Sequence, residues 1–275
     1  MQTSINMDIG IREIRQLTGF IKEKHGVDFN NYALTSFKRR VEGFLIANKF
    51  NMDTLLKKLE SAEFMDHFAG QIVVEVTELF RDPTIWILLK NVYLPNILKE
   101  NNKARIWLPM CPSGEELYSL AILLKESGWI DRVEVNVSSV SNETLVAIQN
   151  GWMKHDKLET SIKNYSRFQD TGQLTDYFQK MDQHLVFDNS LFAHTIFFKE
   201  GLEFDHDLPP MHLILFRNQM IYFNPTLQYK VCDALYDHLV EKGLLFLGIL
   251  EEIETNTNDK YVVLNKEESI YQRRN

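Results

Sequence analysis

The sequence predicts an α/β protein in which a small all-helical segment precedes a mainly parallel, doubly wound sheet. Three observations predict it. Residues 105–124, RIWLPMCPSGEELYSLAILL, read as a buried strand, a tight turn and a helix start. Residues 211–241 repeat that order of apolar strand, turn and helix. Residues 8–78 carry helical periodicity alone.

In the helical segment, Ile11, Ile14, Leu17, Phe20 and Ile21 form one apolar stripe that stops at His25-Gly26. A second helix runs from Asn30-Asn31 to about Asn48, with Phe37, Val41, Phe44 and Leu45 on one face. It also carries Lys38-Arg39-Arg40, either a solvated face or a docking surface for an acidic partner. Two more helices are expected over 55–60 and 63–77. Asp82-Pro83 marks a boundary, because a residue before proline avoids helix. The expected division is therefore a helical domain over 1–83 and an α/β domain over 84–275.

A helix over 84–100 leads to the strand Ile106-Trp107-Leu108. Leu117, Leu120, Ala121 and Leu124 then recur at helical spacing, and Ser113 stands three residues before Glu116, the spacing of a capping box. A second strand over 133–138 and a helix over 143–150, ended by Gly151, follow. Residues 152–184 read as polar and irregular with a helical patch over 174–180. Strands over 184–188 and 193–199 predict a hairpin, or a hairpin plus one sheet strand. After the apolar strand 211–216, Pro225 fits the first turn of a helix reaching about 241. Lys242-Gly243 reads as its cap, 244–248 as a further strand and 261–264 as an edge strand.

Hydrophobic residues make up 44% of the 275, enough for a real core, and the net charge of -8 argues against broad nucleic-acid binding. Cys111 and Cys232, far apart and without a leader-like start, predict a reducing cytoplasm and no disulfide framework. No apolar run approaches the ~18 residues of a membrane span. The histidines and cysteines form no cluster at metal spacing, so no metal site is expected.

The turn after the first strand has one glycine, so it lacks the dinucleotide fingerprint, and no Walker A loop is present. Glu115 and Glu116 at the helix start would repel a pyrophosphate. They suit a cationic or hydroxyl-bearing ligand, and S-adenosylmethionine, with its sulfonium, amino-acid head and ribose diol, is such a ligand. The plainer alternative is that both carboxylates complement the helix dipole.

Four segments, in order, resemble the chemotaxis-receptor glutamate methyltransferases, the CheR family. VTELFRDP (76–83) resembles that family's T-x-F-F-R-[DE] signature. CPSGEELYSLAILL (111–124) resembles STGEEPYSIA-LL. LILFRNQMIYFNPTLQ (213–228) resembles D-x-I-F-C-R-N-V-x-I-Y-F, and KGLLFLG (242–248) resembles the final G-x-L-F-x-G strand. The resemblance implies a helical domain joined to a Rossmann-like methyltransferase domain, with a small antiparallel insertion near 184–198. It implies S-adenosylmethionine as methyl donor, glutamates of chemoreceptor cytoplasmic helices as acceptors, and a cytoplasmic enzyme in signal transduction.

Residue by residue, the resemblance implies that Arg81 orients the acceptor carboxylate and that Tyr222 sits over the methyl group. It assigns Thr77, Glu116, Arg217 and Asn218 to the cofactor pocket, with Ser139 at the ribose position. Plainer alternatives are a salt bridge with Asp82 for Arg81, helix packing for Thr77 and a core aromatic role for Tyr222. Lys38, Arg39 and Arg40 become candidates for docking an acidic receptor helix. The chemistry agrees: a glutamate, with a reference pKa near ~4.3, is already ionised at neutral pH and needs no general base.

Three departures are expected to touch the pocket. Ser139 replaces a ribose-gripping aspartate, and losing one charge-assisted bond costs about 1.5–3 kcal/mol, or about ten- to a hundredfold in affinity. Glu75 stands where the family has asparagine. His212 stands where it has aspartate, and Gly248-Ile249-Leu250-Glu251 replaces a G-H-S-E loop. Two accounts fit these departures: an active enzyme that binds its cofactor differently, or a degenerate homologue serving as a non-catalytic binding module in a signalling complex.

Overall fold

The computed structural model describes residues 9–73, 77–169, 171–181, 184–201, 204–253 and 259–275. Glu75 lies outside them. Four helices come first: α1 (Ile11–His25), α2 (Leu34–Asn48), α3 (Met52–Lys58) and α4 (Ala62–Val73). Gly26 ends α1 with φ 75°, a left-handed conformation that glycine reaches without steric cost. α5 (Pro83–Leu88) continues through a π-turn into α6 (Leu94–Glu100).

Among the described residues, ten strands follow, interleaved with four helices. They are β1 (Ala104–Leu108), α7 (Glu115–Glu126), β2 (Val133–Ser139), α8 (Asn142–Gln149), β3 (Trp152–Lys154), α9 (Leu158–Phe168), β4 (Phe178–Met181) and β5 (His184–Phe187). β6 (Thr195–Lys199), β7 (Met211–Phe216), α10 (Pro225–Asp237), β8 (Leu239–Leu247), β9 (Tyr261–Asn265) and β10 (Ile270–Arg273) complete the order. The main sheet has the order β6-β2-β1-β7-β8-β10-β9. Its first five strands are parallel, with Ile106 opposite both Val135 and Leu213, and β10 and β9 are antiparallel.

The central strands are apolar on both faces, as a covered parallel sheet requires. Their period of two divides the interior. Ile106, Leu108, Leu213, Leu215 and Phe246 face a core shared with α5–α9. Trp107, Ile214, Phe216, Leu245 and Leu247 face the opposite core, which they share with α10 and with Ile14, Leu17, Val41 and Phe68 of the leading helices. The first four helices thus close one face of the sheet. α4 approaches the start of α8 so closely that a Cβ on Gly70 would lie 2.8 Å from Thr144 Oγ1. Among the described residues, no helix is long and apolar enough to cross a membrane.

Three expectations are corrected. The antiparallel unit near 184–198 is a three-stranded sheet, β3-β5-β4, whereas Thr195–Lys199 joins the main sheet parallel to β2. Of the two alternatives for the strands at 184–188 and 193–199, a hairpin plus one sheet strand is the one observed, with β5 paired to β4 and a 3-10 turn, in which Asp188 accepts from Ser190 N, leading to β6. The stretch 152–184 holds α9, whose Tyr165 and Phe168 are buried, and 178–181 is strand, not helix. Lys242-Gly243 caps no helix. α10 ends at Asp237, and Lys242, at φ 60°, sits within β8 where its register against β7 shifts.

Candidate active site

β1 and β7 are neighbours, so the turns that follow them meet at the carboxyl edge of the sheet, where ligands of open α/β sheets bind. After β1, Met110 adopts φ 53° and Gly114 φ 95°. A Cβ on Gly114 would lie 2.6 Å from the Tyr118 ring, so only glycine fits there. The capping box does not form: Gly114 is the N-cap, and the Ser113 hydroxyl donates to Glu115 Oε2 at 2.5 Å. Glu115 is buried, and that burial pushes its carboxyl up to about 7, with Ser113 opposing the shift.

Thr77, Arg81, Glu116, Arg217, Asn218 and Tyr222 line one cavity. Glu78, Trp86, Pro112 and Gln219 complete its wall. Arg217 is the hub. Its side chain is 3% exposed, Nη1 lies 3.1 Å from Glu116 Oε1, and Nη2 lies 2.7 Å from Asp82 Oδ2. Nη2 also donates to Arg81 O at 3.2 Å, as does Trp86 Nε1 at 2.9 Å. Asp82 therefore pairs with Arg217 and not with Arg81. Burial pushes the Glu116 carboxyl up while the Arg217 guanidinium pulls it back. Phe80, Asp82, Met110 and Asn218 all have φ between 51° and 59°, a concentration of backbone strain around the cavity.

Two loops hold Asn218 and Tyr222 in place. Glu251, buried beyond β8, accepts from Asn218 N and Gly248 N at 2.7 Å each and from Ile221 N at 3.2 Å. Gly248 is required here, since its Cβ would lie 2.7 Å from Asn218 Oδ1. On the other side, Ala33 N donates to Tyr222 O at 2.7 Å and Asn224 N to Asn31 O at 2.9 Å, so the start of α2 clamps the Tyr222 loop. The Arg40 guanidinium carbon stands 4.0 Å from the centroid of the Tyr222 ring, within cation–π range.

The remaining expected residues separate. Ser139, 4% exposed at the tip of β2, does not line the cavity; its carbonyl accepts from Glu200 N. Opposite it in β6, Lys199 reaches Asp66 of α4, and that carboxylate also accepts from Ser141 Oγ and the amides of Asn142 and Glu143. His212 is not a pocket residue. It sits near the start of β7, away from the carboxyl edge, where its Nδ1 accepts from Arg105 N at 3.0 Å. Burial, helped by the Arg105 charge, lowers its pKa. Lys38, Arg39 and Arg40 do not form one face: Lys38 pairs with Glu42, Arg39 is exposed, and Arg40 turns inward to Tyr222.

Asp82 and Glu251 went unassigned in the sequence. Asp82 reads as a boundary before proline, and Glu251 as one letter of a divergent loop; their partners lie 135 and 33 positions away.

The cavity combines two carboxylates, two side-chain amides, two hydroxyls and two guanidiniums. Arg217 Nε is buried without a hydrogen-bond partner, a donor awaiting an acceptor. An amino-acid zwitterion carrying a sulfonium fits this set: its carboxylate suits the donor and its positive sulfur suits Glu116.

The family described as "CheR methyltransferase, SAM binding domain" matches residues 75–269. A Pseudomonas putida protein named "Putative methyltransferase Cher3" is 27% identical over 278 residues, covering 99% of this chain and 100% of that protein. A Listeria innocua chemotaxis protein methyltransferase is 26% identical, covering 86% of this chain and 88% of that one. One from Borreliella burgdorferi is 25% identical, with coverages of 95% and 96%. The chain belongs to the CheR family of S-adenosylmethionine-dependent methyltransferases.

Proposed function

We propose that the protein esterifies glutamate side chains of chemoreceptor cytoplasmic helices and works in the cytoplasm. The observation that carries this reading is the convergence of Thr77, Arg81, Glu116, Arg217, Asn218 and Tyr222 on one cavity. S-Adenosylmethionine supplies, when bound, a methyl group made electrophilic by a positively charged sulfur. Glu116, Asn218, Thr77 and Arg217 hold its amino-acid and sulfonium end. Arg81 holds the incoming carboxylate through its guanidinium fork, and Tyr222, braced by Arg40, orients its hydroxyl toward the reacting atoms. No side chain has to remove a proton, because the acceptor arrives ionised.

Tritiated methyl transfer to a receptor cytoplasmic fragment tests this. Base-labile label is expected, lost in Tyr222→Phe and Arg81→Ala. Absence of transfer by the unaltered protein overturns it. The position of Ser139 outside the cavity favours a second reading, a scaffold that docks without catalysis. That reading requires no heat with millimolar S-adenosylhomocysteine, and measurable binding excludes it.

A further inference from the structure

Arg81 stands between two residues in the left-handed region, Phe80 at φ 51° and Asp82 at φ 55°. Such backbone persists only where its surroundings over-determine it. Here the surroundings are side chains from other elements. Leu79 N donates to Ser161 Oγ of α9 at 3.1 Å, and Asn164 Nδ2 of α9 donates to Leu79 O at 3.1 Å. Phe80 N donates to Ser119 Oγ of α7 at 2.8 Å. At Arg81 itself two donors share the carbonyl, Trp86 Nε1 at 2.9 Å and Arg217 Nη2 at 3.2 Å. Among the described residues, no hydrogen bond or ion pair holds the Arg81 guanidinium, so the backbone decides where it points.

The two donors differ in their other tasks. Arg217 also serves Glu116 and Asp82. Trp86 has a single N–H, and it goes to Arg81 O. The indole is 2% exposed, meets the Phe80 ring edge-on at 5.6 Å and has the Arg217 guanidinium carbon 5.8 Å from its ring centre. A phenylalanine would supply an aromatic ring for that packing, but it has no N–H to give. We infer that the Trp86 indole N–H positions Arg81, fixing the backbone so that the guanidinium meets the incoming carboxylate in one orientation. This rests on the reading of the protein as a glutamate methyltransferase, and it adds what places the residue that holds the acceptor. Trp86 acts through Arg81 and takes no part in bond making. A displacement of about 1 Å at a group that orients a reactant can cost about a hundredfold in rate, so a single anchoring bond matters here.

The test uses the full chain with Trp86→benzothienylalanine, which keeps the outline of the indole and puts sulfur in place of the N–H, and with Trp86→Phe in parallel. Hydrogen exchange over residues 79–85, read by mass spectrometry, should be about fivefold faster in both variants, the equivalent of one net hydrogen bond. With a receptor cytoplasmic fragment, kcat of the benzothienylalanine variant should fall about tenfold or more, while its S-adenosylhomocysteine affinity by calorimetry stays within about twofold. Lost packing would move both quantities together. Unchanged exchange in both variants overturns the assignment. So does a kcat within about twofold of the unaltered protein's, or a fall in kcat matched by an equal loss of S-adenosylhomocysteine affinity. If the unaltered protein transfers no methyl group, the glutamate methyltransferase reading fails, and exchange alone decides whether the indole holds Arg81.

Discussion

Replacing Glu251 with alanine should loosen the site without touching its lining. Glu251 is buried and takes the amides of Gly248, Asn218 and Ile221 at 2.7, 2.7 and 3.2 Å. Hydrogen bonds to a charged acceptor each contribute about 1.5–3 kcal/mol, and the amides left behind are buried donors without partners. Three such losses, reduced by water entry and relaxation of the loop, predict a destabilisation of about 3–5 kcal/mol. At about 2–4 °C per kcal/mol, Tm should fall by about 10 °C. Because Asn218 and Ile221 lie on the loop that presents Tyr222, S-adenosylhomocysteine affinity should fall as well, although Glu251 does not line the cavity. Scanning calorimetry and isothermal titration measure both quantities. Glu251→Gln, which keeps one accepting oxygen, should fall between. A Tm change below about 2 °C together with unaltered affinity would refute the assignment of Glu251 as the clamp.

Glu115→Gln should stabilise the protein, increasingly so as pH rises. Burial lifts this carboxyl from 4.5 to about 7, so the folded chain resists its ionisation. The penalty is absent below the unfolded value, grows through the window from about 4.5 to 7, and reaches about 3 kcal/mol above it. The Tm difference between variant and unaltered protein should widen between pH 5 and pH 8; a constant difference contradicts the reading. Arg217→Met should cost about 3–5 kcal/mol in urea unfolding, because Glu116 and Asp82 lose their shared guanidinium in a buried setting. A loss under about 1 kcal/mol would mean that both carboxylates are adequately solvated.

The parallel core was legible because its signal is local. Ile106-Trp107-Leu108 and 211–216 are short apolar runs bounded by turns, and both became central strands. α9 was hidden because its buried residues, Ser161, Asn164, Tyr165 and Phe168, include two small polar ones that blur the apolar stripe. β6 resembled half of a hairpin because only a short connection joins it to β5, and the pairing with β2, about sixty positions earlier, decides its sheet. In the site, the family patterns supplied six of the ten residues that line the cavity. They contain Asp82 and Glu251, as the [DE] of the first signature and the final E of the G-H-S-E loop, but no role was read for either, since both act through long-range contacts. They also led to His212, whose place at the far end of β7 follows from strand direction: Arg217 and Asn218 lie beyond the carboxyl end of the same strand. Arg40 was grouped with Lys38 and Arg39 by charge, whereas the helical rotation of about 100° per residue sends adjacent side chains different ways.

The apolar cluster uniting Ile14, Leu17 and Val41 with Trp107 and Ile214 constrains how this enzyme can be taken apart. A fragment beginning after Pro83 would bare to water the part of that face which α10 leaves uncovered, an invitation to aggregate, and would release the Tyr222 loop from Ala33 and Asn31. Recognition and chemistry therefore have to be dissected by single side-chain changes in the intact polypeptide, since scissors placed between them would spoil both.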